Sequence, residues 1–137
     1  MSDKTILRVR DVMTTDFDLV DGMLTVKDAL LGMRFPETRA LLIDKRNSDD
    51  EYGIVLIADI AKQVVAADRS PDRVNLYEIM SKPVISVAPE MNIRYCARMM
   101  QRFGLSLAPV IGDGKILGVV SYHEMVLRGL MSVLKNS

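Results

Sequence analysis

Two stretches of the chain repeat one apolar pattern with helical spacing, 67 residues apart. The apolar positions follow i, i+3, i+4, i+7, which predicts an amphipathic helix in each stretch. Thr25 and Asn92 stand immediately before the two stretches and are suited to cap the helices. Pro36 is predicted to close the first helix and Gly104 the second. The repeated apolar residues are Val26, Ala29, Leu30 and Met33, then Ile93, Cys96, Ala97 and Met100.

Short apolar runs around these helices predict strands. They are Phe17–Val20, Ala40–Asp44 and Tyr52–Ile57 in the first half, then Val84–Val87, Leu107–Ile111 and Lys115–Ser121 in the second. Gly112-Asp113-Gly114 predicts a tight hairpin, and the charged stretch Lys45–Glu51 a solvated loop. Further helices are predicted from about Asp59 to Ala67 and from about Tyr122 to Leu134. The chain is therefore expected to be α/β, with two β-α-β-β-α halves packed as one pseudo-symmetric module.

The residues that open and close the two halves repeat as well. Val9–Met13 returns as Leu76–Met80, and each half closes on glycine followed six residues later by an acid, Gly53 to Asp59 and Gly118 to Glu124. A repeat that keeps both the apolar spacing and the motifs at the ends of each half indicates two copies of one supersecondary unit. We predict repeats at 9–67 and 76–134, joined by a polar linker at 68–75.

Charge and composition limit the classes of binding partner that the chain is expected to have. The 137 residues contain 18 basic and 18 acidic side chains, which argues against a nucleic-acid or anionic-membrane surface. Residues 1–67 contain nine basic and twelve acidic side chains, and residues 68–137 contain nine and six. The second half, at net +3, is therefore the expected host for an anion.

The chain contains no set of residues typical of catalysis. One cysteine and one histidine exclude a disulfide within the chain and a His-rich metal site, and no glycine-rich phosphate loop is present. We predict a protein that is not an enzyme and has no metal. The start does not resemble a signal peptide and no apolar run approaches ~18 residues, so we expect a cytoplasmic protein without a membrane segment. Cys96 is expected to be a small buried apolar residue, and the carboxylates of the first half to form a solvated face.

Ser121-x-x-Glu124, before an apolar run, is the strongest local motif. As a capping box, the serine accepts from the Glu124 amide and the glutamate reaches back to the Ser121 amide. The alternative is an anion site, because the start of a helix offers free N–H groups and the positive end of its dipole.

Taken together, the motifs resemble a tandem pair of cystathionine β-synthase (CBS) domains, a Bateman module, over about Val9–Arg128. The second copy contributes Glu78-Ile79-Met80, Pro83-Val84-Ile85-Ser86-Val87, Ala108-Pro109-Val110 and Gly118-Val119-Val120-Ser121-Tyr122-His123-Glu124-Met125. The first contributes Asp11-Val12-Met13-Thr14, Leu41-Leu42-Ile43-Asp44 and Gly53-Ile54-Val55-Leu56-Ile57-Ala58-Asp59-Ile60.

The resemblance implies an adenine-nucleotide site in a cleft between the repeats. Ser121 would contact the phosphate and Glu124 the ribose hydroxyls, although glutamate replaces the more usual aspartate. His123 and Lys82 would lie near the phosphate; the alternative for each is an ordinary exposed surface residue. The apolar slot for the adenine would be formed by Pro83, Val84, Ile85, Ala108 and Pro109, which are also ordinary strand residues.

The first copy is expected to be a weaker site. Leu56 stands where the family pattern has threonine or serine, so the phosphate hydroxyl is missing. Asp59 keeps the acid, and the alternative for it is a helix N-cap. Arg39 is the nearby cation, and Phe17 begins the adjoining strand.

We therefore expect a non-enzymatic sensor that binds AMP or ADP as a regulator and needs no other cofactor. The alternative is a ligand-free dimerisation or docking module that regulates a partner enzyme or transporter. A homodimer is expected in either case, because apolar residues on the final helix exceed what its own half needs to cover it. They are Leu127, Leu130, Met131 and Leu134.

Overall fold

The computed structural model describes residues 6–137, which fall into two compact units. One unit is Asp16–Val84. The other combines the segment that ends at Thr15 with Ile85–Ser137. Both contain helices and strands, so the predicted α/β class is confirmed.

The unit 16–84 is built on a three-stranded sheet. Strands β1 (Leu19–Val20) and β2 (Ala40–Ile43) are parallel, and β2 is antiparallel to β3 (Gly53–Leu56). Helix α2 (Val26–Leu31) joins β1 to β2. After β3 the chain enters α3 (Ile57–Ile60), which continues as a π-helical turn at Ala61–Val65, and the short helix α4 (Leu76–Ile79) follows. The core of this unit consists of Val26, Ala29, Leu41, Ile43, Val55, Ile60, Val64, Val74, Leu76 and Ile79.

The second unit has a corresponding arrangement. It begins with the short helix α1 (Val9–Val12) and continues with α5 (Ile93–Phe103) and an antiparallel hairpin of β4 (Leu107–Gly112) and β5 (Lys115–Ser121). The final helix runs through α6 (Tyr122–Glu124), a π-helical segment (Met125–Leu130) and α7 (Met131–Lys135). The core consists of Val9, Val12, Val87, Cys96, Met100, Ala108, Val110, Val120 and Met125.

The short helices are exchanged between the sequence repeats. Helix α1 opens the first repeat but packs in the core of the second, whereas α4 opens the second repeat and packs in the core of the first. Backbone bridges accompany the exchange, because Thr14 pairs with Val119 and Ser81 pairs with Ile54. One compact unit is thus assembled from two segments that are distant in sequence, whereas the other is the continuous segment Asp16–Val84.

The exchange explains the glycine that closes each repeat. A Cβ atom at Gly118 would lie 2.4 Å from the Thr14 carbonyl oxygen, and one at Gly53 would lie 2.8 Å from Met80 Sδ. Both glycines therefore leave room for the exchanged segment. The sequence shows that Gly53 and Gly118 occupy equivalent positions in the two repeats, but it does not indicate which residues they face.

The predicted caps and the hairpin turn are confirmed. Thr25 Oγ1 accepts from the Asp28 N–H (3.1 Å), and Asn92 Oδ1 accepts from the Arg94 N–H (2.9 Å). Gly104 ends α5 in the left-handed conformation at φ 66°. Asp113 and Gly114 both have positive φ, as a type I′ turn requires.

Three local predictions are wrong. The segment 84–87 forms no strand; it makes a single parallel bridge from Val87 to Val110. Helix α2 ends at Leu31 with Gly32 as its cap, and Pro36 instead begins a 3₁₀ turn at Pro36–Thr38. Asp18 is not part of a solvated face. It is only 6% exposed and accepts hydrogen bonds from two backbone N–H groups, those of Arg34 (3.0 Å) and Phe35 (2.9 Å), which compensates its burial.

No helix in the part of the chain from residue 6 onward combines the length and apolar character that crossing a bilayer requires.

Burial determines the chemistry of Cys96. The thiol lies on the core side of α5 with no exposed surface, and burial raises its pKa to about 11 from the usual 9.0. The native thiol therefore stays protonated at neutral pH and is not nucleophilic.

We expect the Cys96 thiol to react with a disulfide reagent at pH 8 only when the chain unfolds. The unfolded thiol ionises near pH 9 and the native one near pH 11, so its contribution to stability is present below pH 9 and falls as the pH rises through that window. Stopped-flow thiol titration and urea unfolding at several pH values measure the two effects. Cys96→Ala is the control, since it removes this titration, and its loss of core packing does not depend on pH. A fast native reaction at pH 8 would contradict the buried position.

Candidate functional site

The motif Ser121-x-x-Glu124 lies where β5 passes into the final helix. Glu124 Oε1 accepts two hydrogen bonds from Ser121, one from its N–H (2.9 Å) and one from its hydroxyl (2.8 Å). The predicted hydrogen bond from the Ser121 N–H to the Glu124 carboxylate is therefore present. The serine hydroxyl donates to the carboxylate, so the two side chains proposed for phosphate and ribose are bonded to each other.

The surroundings of this pair leave it accessible. Ser121 and Glu124 are each half-buried, and His123 between them is exposed in the first turn of α6. Within residues 6–137 no hydrogen bond reaches Glu124 Oε2, so this oxygen retains its capacity to accept. A continuous helix of three segments follows the pair, and its positive end lies at Ser121.

Three of the slot residues lie in the same unit as this pair. Ala108 and Pro109 are buried in β4, where they pair with Val120 and Val119 of β5. The Pro109 carbonyl accepts from the Val87 N–H (3.0 Å). Ile85 is 44% exposed. Of these three, Ile85 presents side-chain surface, whereas the Ala108 side chain is part of the core.

Lys82, Pro83 and Val84 belong to the other unit, 16–84. Lys82 Nζ forms an ion pair with Asp50 Oδ1 at 2.5 Å. The pKa of Asp50 is held well below its usual range, first by the hydrogen bond from Lys82 and then by the backbone N–H groups of Arg46 and Glu51. The sequence predicted Lys82 as a cation available for phosphate and did not indicate this partner.

The first-repeat residues form a similar but poorer arrangement. Asp59 Oδ2 accepts from the Leu56 N–H (2.9 Å), as Glu124 does from Ser121, but leucine supplies no hydroxyl. Arg39 is exposed in the left-handed conformation, and its carbonyl accepts from the Ile57 N–H (3.0 Å). Phe17 is half-buried. In both repeats the helix after the acid continues into a π segment, a feature frequent at functional sites.

Two surface cavities are lined by none of the predicted site residues. One, of about 590 Å³, is at the ends of β1 and β2 and is lined by Leu19, Val20, Asp21, Met23, Asp44, Lys45 and Arg46. The other, of about 330 Å³, is on α5 and is lined by Tyr95, Arg98, Met99, Arg102 and Phe103. Within residues 6–137 no group of three or more His, Cys, Asp or Glu side chains is placed to hold a metal ion.

The two matching units and their repeated helix-start acids define a duplicated α/β domain, and comparison with known proteins identifies its family. Residues 76–128 match the family model of the CBS domain. The structure of a hexameric CBS-CP12 protein from bloom-forming cyanobacteria is similar, with a TM-score of 0.86 and 32% sequence identity over 93% of this chain and 74% of that chain. The chain belongs to the CBS domain family and is a tandem CBS pair.

Two further similar proteins are a CBS domain pair with bound ligands and a longer enzyme. The CBS domain pair of protein MJ0100 was solved in complex with 5′-methylthioadenosine and S-adenosyl-L-methionine; its TM-score is 0.73 at 20% identity over 96% of this chain and 98% of that chain. At that identity it shows the fold alone. A homoserine O-acetyltransferase of Methanosalsum zhilinae is 32% identical over 122 residues, which are 87% of this chain and 23% of that enzyme. The chain spans 40% or less of the length of two curated relatives that it matches.

Proposed function

We propose that the chain is a regulatory sensor that binds an adenosine-containing ligand, with AMP or ADP favoured, where β5 enters the final helix. The observation that carries this proposal is the pairing of Ser121 and Glu124 at a helix start, with one carboxylate oxygen still able to accept. CBS domain pairs are regulatory modules, and we propose no catalytic activity for this chain.

The ligand-free hydrogen bonds suggest how binding proceeds. The Ser121 hydroxyl would turn from Glu124 to a phosphate oxygen, while its N–H keeps the carboxylate in place. Glu124 Oε2 would accept from a ribose hydroxyl. The exposed His123 adds positive charge in its protonated form. Lys82 lies in the other unit and is paired with Asp50, so any anion that contacts Lys82 has to displace that carboxylate.

The chemistry of the helix start favours a nucleotide over a sulfonium ligand. The positive end of a helix dipole and its N–H groups attract anions, and a sulfonium centre is a cation. Both ligands of the MJ0100 pair contain adenosine, which supports the ligand class. The phosphate preference comes from Ser121 and the helix start of this chain.

Calorimetric titration with AMP, ADP, adenosine and S-adenosylmethionine tests the proposal. We expect Ser121→Ala to weaken AMP roughly 10-fold or more and adenosine little, because a hydrogen bond to a charged group contributes about 1.5–3 kcal/mol. Glu124→Gln should weaken AMP and adenosine alike. Ser106→Ala, at an exposed serine, is the matched control. No heat with millimolar AMP or ADP, or an equal loss of AMP and adenosine in Ser121→Ala, would overturn these roles.

A second candidate function is a dimerisation or docking module without a ligand. The absence of the hydroxyl at Leu56 favours it, and so does an exposed apolar stripe on the final helix. The stripe consists of Leu127 (61% exposed), Leu130 (45%), Met131 (41%) and Leu134 (59%). A second copy of the chain would cover the stripe by a twofold contact.

We expect Leu130→Glu to shift a homodimer toward monomer, since it would bury an unpaired carboxylate in the contact. Sedimentation velocity at tens of micromolar measures the shift. Leu117→Glu is the matched control, because Leu117 is 39% exposed and lies on the β4–β5 hairpin. A wild-type chain that sediments as a monomer would reject the dimer without affecting the nucleotide proposal.

A further inference from the structure

The outward side of α5 presents basic and aromatic side chains around a groove of about 330 Å³. Tyr95 is 57% exposed and Phe103 56% exposed. We call this surface the arginine–aromatic face; it consists of Tyr95, Arg98, Met99, Arg102 and Phe103. It follows the spacing i, i+3, i+4, i+7, i+8, so it is a second complete face of a helix that already has a buried one.

Folding of the unit does not require the four exposed side chains of this face, Tyr95, Arg98, Arg102 and Phe103. The core contacts of α5 are made by the fully buried Cys96 and Met100 and by the partly buried Ile93, Ala97 and Met99. Large aromatic side chains left in water gain nothing from the hydrophobic effect. Tyr, Arg and other large side chains are the residues that carry most binding energy in protein interfaces.

All the charged side chains of α5 are positive. The helix contains Arg94, Arg98 and Arg102 at four-residue spacing and no carboxylate. Like charges at this spacing destabilise a helix, and Arg94 lies in the first turn, where the helix dipole disfavours a cation. Within the described residues none of the three forms an ion pair. Arg98 instead lies over the Tyr95 ring, 5.7 Å from its centre.

We propose that the arginine–aromatic face binds an acidic segment of a partner protein that inserts an apolar side chain between Tyr95 and Phe103. Carboxylates on that segment would pair with Arg98 and Arg102, which lack acidic partners in the chain. A twofold contact of this face with a second copy is disfavoured, because it would bring arginines against arginines with no acid on either helix. The proposal goes beyond ligand binding at Ser121 and stands independently of it.

Peptide selection on the full-length chain tests the proposal without assuming a sequence. A library of random peptides is selected on the wild-type chain and counter-selected on the Arg98→Glu/Arg102→Glu chain. We expect enriched peptides to be rich in Asp and Glu and to contain Leu or Phe. Fluorescence anisotropy of the most enriched peptide should show binding at least 10-fold weaker to the double variant and weaker at high salt. Lys115→Glu, on the exposed hairpin, should bind within twofold of wild type.

Several outcomes would overturn the proposal. Enriched peptides without acidic bias, or equal binding to the double variant, would reject the acidic segment. Self-association that the double variant abolishes would assign the face to a second copy. Tighter binding of a fluorescein-labelled oligothymidylate through the same arginines would assign it to nucleic acid. If the double variant melts below wild type, Arg98→Gln/Arg102→Gln replaces it, with the same expected loss of peptide binding.

Discussion

Replacing Gly118 with alanine should destabilise the chain by about 3 kcal/mol, at the upper end of overpacking effects. The added Cβ would lie 2.4 Å from the Thr14 carbonyl oxygen, which is a backbone atom and cannot rotate away. Relief requires Thr14 to move, and that breaks the two hydrogen bonds of 2.9 Å that join it to Val119. Urea unfolding followed by circular dichroism measures the loss.

Gly53→Ala is the matched control at the corresponding position of the first repeat. Its Cβ would meet Met80 Sδ at 2.8 Å, near the end of a flexible side chain that can adopt another rotamer. We expect a loss of about 1 kcal/mol, at the low end of overpacking effects. Equal losses in the two variants would show that the Thr14 contact is not the cause.

Removing residues 1–15 should unfold the unit that contains α5 while 16–84 keeps its structure. Val9 and Val12 are fully buried in the core of that unit. The segment also supplies backbone hydrogen bonds, including Val9 N–H to the Met91 carbonyl (2.8 Å) and Ile93 N–H to the Leu7 carbonyl (2.9 Å). Deleting buried side chains of this size costs several kcal/mol in total, comparable to the stability of a small unit. Hydrogen exchange with mass spectrometry should show the amides of α5 losing protection and those of β2 keeping it.

Arg10→Ala tests the same segment without its core contacts. It removes an ion pair with Glu90 in which both side chains are more than half exposed, and such pairs contribute little. We expect a loss below about 1 kcal/mol and unchanged exchange in α5. Persistent protection of α5 in the shortened chain would contradict the assembly of this unit from two distant segments.

Local signals predicted the local structure well. Thr25 and Asn92 cap their helices, Gly104 ends α5, and Asp113-Gly114 forms the hairpin turn. These features depend on contacts within a few residues, which the sequence states directly. The Ser121–Glu124 pair was found for the same reason, because its partners are three residues apart.

Contacts between distant residues were not predictable in this way. The exposed-looking Lys82 is paired with Asp50, 32 residues earlier in the chain. Asp18, expected on a solvated face, is buried and accepts hydrogen bonds from the amides of Arg34 and Phe35. In each case the partner is brought near by the path of the chain, and no local pattern encodes that path.

The sequence by itself determined that the chain contains two copies of an α/β unit, where the main helices lie, and which acid begins each closing helix. Only the tertiary structure decided that α1 and α4 are exchanged between the copies, and that Gly53 and Gly118 face the exchanged segments. The physical reason is the duplication itself. Val9–Met13 and Leu76–Met80 have the same apolar pattern and can fill either core, so the choice between them depends on chain connectivity and packing.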